Sequence, residues 1–135
     1  MSKLKQKSEF NIDAAKLLIK EAYYAPSVHC SYYSCFQLMK FTIKDFSGID
    51  YETQSVNIST TGQHTHQYII NFISDELKKF VGIEESRIFK RTIKDLKQFR
   101  EESDYENIEV SYDKGQTALD KANEIRQYLI TNFNL

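Results

Sequence analysis

Between residues 26 and 46 the side chains of Val28, Tyr32, Cys35, Phe36, Met39, Ile43 and Phe46 recur at intervals of three and four, keeping to one face for five helical turns. A strand, with its period of two, cannot hold that spacing. The segment is therefore expected to be a helix, central to the core, that needs partners along its whole length. Residues that make turns are scarce: 135 residues include one proline and four glycines. That favours long helices over many short strands. A chain of this length is expected to form one domain, residues 1–135, which buries roughly two-thirds of the surface its unfolded form exposes. It needs neither metal nor disulfide to fold.

Four more helices are expected around the central one. The first, 9–24, carries Phe10, Ala14, Leu17, Leu18 and Ala22 inward, and Pro26 then suits the first turn of the central helix. Another, 64–80, turns Ile69, Ile70, Ile73, Leu77 and Phe80 inward and stops at Gly82. A fourth, 84–104, opens on Glu84 and Glu85, whose charges suit a helix N-terminus, and buries Phe89, Ile93 and Leu96. The last, 113–133, starts with Asp113 and Gln116 at capping-box spacing and points Ala118, Ala122, Ile125, Leu129 and Phe133 inward. Residues 1–8 are polar and expected to be flexible; 47–63, "SGIDYETQSVNISTTGQ", have no clear period and are expected to form a long loop. Short links between most helices imply an all-α, antiparallel, up-and-down bundle of four or five helices.

The net charge of −1 and a pI near 6.3 argue against holding nucleic acid by a global basic field, so any such binding is local. The polar start is unlike a signal peptide, and no stretch approaches the ~18 apolar residues of a membrane span. A cytoplasmic protein without membrane partners is expected. Cys30 and Cys35 lie on different helix faces with no further cysteine, which reads as two structural thiols and no metal site.

Candidate site residues come from polar groups on apolar faces. At about 100° per residue with Phe89 at zero, Ile93 falls at about 40°, Leu96 at about −20°, Arg100 at about 20° and Asp104 at about 60°. Arg100 and Asp104 thus prolong the buried stripe, where a guanidinium must be paired or face a cleft or subunit interface. Asp104 is its expected partner. His66 precedes Ile69, Ile70 and Ile73 on an apolar face, whereas His64 lies off it. Tyr32 sits on the central stripe with Tyr33 on its flank, either as packing aromatics or as rings that stack on a base. Arg87, Lys90, Arg91, Lys94 and Lys97 form a basic face opposite the apolar stripe of their helix. It reads as a solvated face, interrupted by Asp95.

In order, "AAKLLIKEAYYAPSVHCSYYSCFQLMKF", "HTHQYIINFI", "REESDY" and "ALDKANEIRQYLITNF" resemble successive parts of HEPN domains: an opening helix pair bearing a Tyr-Tyr, a histidine-led helix, an Arg-x-x-x-Asp-Tyr signature and a final helix. The resemblance spans roughly residues 10 to 133. It implies a bundle similar to the helical domain of kanamycin nucleotidyltransferase, usually homodimeric. It also implies a small bacterial protein often paired with a minimal nucleotidyltransferase in a toxin-antitoxin arrangement. Active HEPN toxins resemble metal-independent ribonucleases with an Arg-x(4-6)-His motif in a shared cleft. Here no arginine is followed by a histidine, and Asp104 stands about where that histidine would be. A carboxylate there neutralises Arg100 and repels phosphate.

The expectation is a non-catalytic dimeric module, without cofactor, that binds a nucleotide, RNA or a partner nucleotidyltransferase. Arg100, Asp104 and Tyr105 would line its cleft with His66, Tyr32 and Tyr33. The alternatives are a ribonuclease using His64 or His66 as a displaced histidine, and a purely structural dimer.

Overall fold

The computed structural model describes residues 2–135 and consists of five helices: α1 (Lys3–Lys20), α2 (Tyr24–Ser47), α3 (Tyr51–Thr61), α4 (Thr65–Tyr105) and α5 (Tyr112–Asn132). Among the described residues there is no strand, and no helix is long and apolar enough to cross a membrane. α2 is the hub, packed against α1, α4 and α5. Val28, Tyr32, Cys35, Met39 and Ile43 of its stripe are fully buried, together with Leu38. α5 closes the core with Ala118, Ala122, Ile125 and Leu129.

α1 differs from expectation at both ends. It begins at Lys3 because Ser2 caps it, the hydroxyl accepting from the Lys5 amide at 3.3 Å, so of the expected flexible start residues 3–8 are helical. Met1 lies outside the described residues. The helix ends before Ala22, which takes a left-handed φ of 62°. Its buried face is not the expected one: Phe10 and Leu17 are 63% and 59% exposed, while Ser8, Ile12 and Ala15 are buried. Small side chains explain the rotation, since they let α1 approach α2 closely enough for side chain to backbone hydrogen bonds. Ser8 Oγ donates to the Ser34 carbonyl at 2.6 Å, and Ser27 Oγ donates to the Ala15 carbonyl at 2.8 Å.

The expected loop at 47–63 is mostly helix. Asp50 caps α3, Oδ1 accepting from the Thr53 amide at 2.7 Å, and Gly62 ends it. α3 buries only Gln54, whose Nε2 donates to the Ile49 carbonyl at 2.9 Å. A helix that buries one polar residue has no apolar period to read.

α4 carries both of the helices expected at 64–80 and 84–104, joined by the single non-helical residue Gly82 (φ 87°, ψ 175°). That region of backbone space is essentially restricted to glycine. The two arms fold back on each other: Ser86 Oγ donates to the Ser74 carbonyl at 2.7 Å, although twelve residues of straight helix would separate them by about 18 Å. α5 is capped by Ser111, which accepts from the Lys114 amide at 3.2 Å, rather than by the expected Asp113; Gln116 instead reaches Asp120. At the far end of α2, Phe46 and Phe80 are half exposed rather than inward, packed edge to face with buried Phe133 at 5.0 and 5.4 Å.

Candidate functional site

Where the end of α4 meets the first half of α2, Arg100 lies under aromatic rings. It is 6% exposed, with its guanidinium 5.3 Å from the Tyr32 ring centroid, 5.5 Å from Tyr33 and 5.8 Å from Tyr105. Cation–π attraction at these distances stabilises a buried cation. Its carboxylate contacts are loose: Nη1 is 3.8 Å from Asp104 Oδ2 and Nη2 is 4.0 Å from Glu101 Oε1. Nε has no acceptor among the described residues. The helical angles place Arg100 in the core, with Asp104 one turn on as its ion partner at a distance too long for a hydrogen bond.

The same Asp104 oxygen is hydrogen-bonded to His29. His29 Nδ1 donates to Asp104 Oδ2 at 2.8 Å, and its ring packs on Tyr33 at 4.7 Å. Sequence reasoning passed over His29, although it precedes Tyr32 by three and Tyr33 by four, the spacing that puts all three on one helix face. The His29 side chain is 48% exposed, so the ring edge away from Asp104 meets solvent.

His66 stands on the other side of Arg100. Tyr32 Oη lies 2.5 Å from His66 Nδ1, and the imidazole stacks on Phe36 at 4.3 Å. Burial and then the Arg100 and Lys97 charges lower its pKa to about 4, whereas burial raises that of the Tyr32 phenol. His66 is thus neutral near pH 7, its Nδ1 sharing one hydrogen bond with the Tyr32 hydroxyl. A neutral imidazole of this kind is a poor general acid near pH 7.

His66 lines an open groove of about 640 Å³ between the two arms of α4. One wall carries Gln67, Ile70 and Asn71; the other carries Lys94, Lys97, Gln98 and Arg100, together with Glu101, Glu102 and Glu106. His64 also lines it, so the histidine that lies off the apolar stripe still reaches the groove. Lys97 pairs with Glu101 at 2.9 Å, and Lys114 pairs with Glu102 at 3.1 Å. The six sequence-derived site residues therefore converge on one end of the bundle. Tyr105 is its outermost member, 78% exposed. No cluster of three or more metal-ligating side chains occurs among the described residues. Cys35 packs against the Ala122 carbonyl with its thiol pushed up to about 12 by burial, consistent with a structural role.

The family model for the HEPN domain matches residues 1–132. The chain is a HEPN domain. No match to it was found among curated proteins. Membership makes it, in general terms, a nucleotide- or RNA-related module, and the helical bundle described above is that family's fold. In this HEPN domain the Arg-x-x-x-Asp-Tyr signature runs over the last turns of α4, with Arg100 inside and Tyr105 outside.

Proposed function

We propose that this HEPN domain is a non-catalytic dimeric module that binds the phosphate of a nucleotide or RNA at Arg100, in a setting that includes a partner nucleotidyltransferase. The observation that carries the reading is the state of Arg100. A guanidinium almost wholly buried under three tyrosines, with carboxylates no closer than 3.8 Å, keeps its hydrogen-bonding fork free for a planar or tetrahedral oxyanion. The groove beside it is of the size that takes small ligands. Self-association is supported by exposed Tyr23, Tyr105, Ile108 and Tyr112, of which Tyr112 packs on Tyr24 at the start of α2. Calorimetric titration with AMP tests the binding, with sedimentation for the oligomer. Arg100→Ala is expected to weaken AMP at least tenfold; equal binding by the variant overturns the assignment of Arg100.

A second reading, a metal-independent ribonuclease, is favoured by one contact. Asp104 fixes His29 by its Nδ1, which leaves Nε2 for proton transfer, the orientation used by carboxylate-held histidines elsewhere. His66, neutral and bonded to Tyr32, is less suited to that role than His29. Incubation with RNA in EDTA separates the readings: cleavage that is lost in His29→Ala and Arg100→Ala supports the enzyme, and intact RNA supports the module.

A further inference from the structure

The basic residues that read as a solvated face have an arrangement that solvation alone does not require. On the second arm of α4, Arg87, Lys90, Arg91, Lys94 and Lys97 occupy one face, opposite Phe89, Ile93 and Leu96, over about 15 Å of helix axis. Among the described residues, Lys97 alone of these five has a carboxylate within ion-pair distance. The acid that interrupts the run in sequence, Asp95, is turned to the flank, where its Oδ2 lies 3.9 Å from Lys121 Nζ of α5. In a chain of net charge −1, four cations without carboxylate partners lie in a row. The row ends at the groove, where Lys94 and Lys97 share the wall next to Arg100 with Glu101, Glu102 and Glu106, of which Glu101 is paired with Lys97 and Glu102 with Lys114.

We infer that this face is a track for the sugar-phosphate backbone of a single-stranded RNA whose end lies in the Arg100 groove. The inference rests on the nucleotide- or RNA-binding reading and extends it from a single phosphate to several. The chemistry favours nucleic acid over an acidic protein. No large apolar side chain between residues 87 and 98 is exposed, so a protein partner finds no hydrophobic anchor there. A phosphate backbone needs only regularly placed cations, and the free amides of Gln67, Asn71 and Gln98 line the groove where a base would lie.

The test is fluorescence anisotropy with a labelled ten-nucleotide oligouridylate across a salt series, with AMP and a ten-residue polyglutamate as competitors. With four or five phosphate contacts, log K is expected to fall with log salt at a slope of about −3 to −3.5. The triple variant Arg87→Gln, Lys90→Gln, Arg91→Gln, none of whose residues lines the groove, is expected to reduce that slope by about 2 while leaving AMP affinity within twofold. These side chains are at the surface, so the variant is expected to keep the wild-type circular dichroism spectrum. AMP binding with no added affinity for the oligonucleotide, or a slope unchanged in the triple variant, overturns the track and leaves the groove reading intact. Polyglutamate competing as strongly as RNA overturns it in favour of an acidic protein. Failure of both AMP and RNA to bind overturns the groove reading and the track together.

Discussion

The two ends of α2 are built from opposite materials. Its far end is closed by Phe46, Phe80 and Phe133 in mutual edge-to-face contact, with no charged group in the cluster. Its first half carries His29, Tyr32 and Tyr33 and meets His66, Arg100 and Asp104 of α4, joined by hydrogen bonds, stacking and loose ion contacts. Apolar packing gains free energy with each buried methylene, whereas a buried cation with imperfect partners contributes little or costs stability. One end therefore maintains the fold, and the other holds chemistry that the fold must tolerate.

The largest expected effect is at the apolar end. Phe133→Ala should lower unfolding free energy by about 3–5 kcal/mol in urea titration while leaving AMP binding by the folded fraction unchanged. A loss of binding by the folded fraction would show that the two ends are not separable. Next is the hinge between the groove walls. Gly82→Ala meets no atom within 4 Å of the new Cβ, so its cost of about 1–3 kcal/mol would be wholly backbone conformation, measurable in the same titration.

At the polar end the sign is expected to reverse. Arg100→Met should leave stability unchanged or raise it by about 1 kcal/mol while weakening phosphate ligands, because it removes a buried charge without creating a void. The smallest effect is in pH dependence. The His66 pKa falls from 6.5 to about 4 on folding, so between those values the unfolded chain binds more protons. Stability contributed by neutral His66 is complete above pH 6.5 and declines as the pH falls toward 4. Urea midpoints at pH 7 and 4.5 should differ less in His66→Gln than in the unaltered protein.

Periodicity made α2, α5 and both arms of α4 legible, because each buries a long apolar stripe. The same angles carried Arg100 to its buried place, since a polar residue on an apolar face is visible as an exception. Three features were not legible, for separate reasons. α1 docks through Ser8 and Ala15, and small residues leave no hydrophobic signal although they permit the closest helix contact. α3 is held by its Asp50 cap and by Gln54, which carry no period. His29 acquires its role only when Asp104, 75 positions away, is folded against it.

Gly82 gives the groove a property of timing as well as shape. Both walls belong to one helical hairpin whose turn is a single residue, so bringing His66 beside Arg100 requires closing one very short loop. Such local closures precede the joining of distant segments. The groove should therefore be assembled before α2 arrives to supply its tyrosines. In hydrogen exchange the amides of Ile69, Ile70, Ile93 and Leu96 should open together as one cooperative unit.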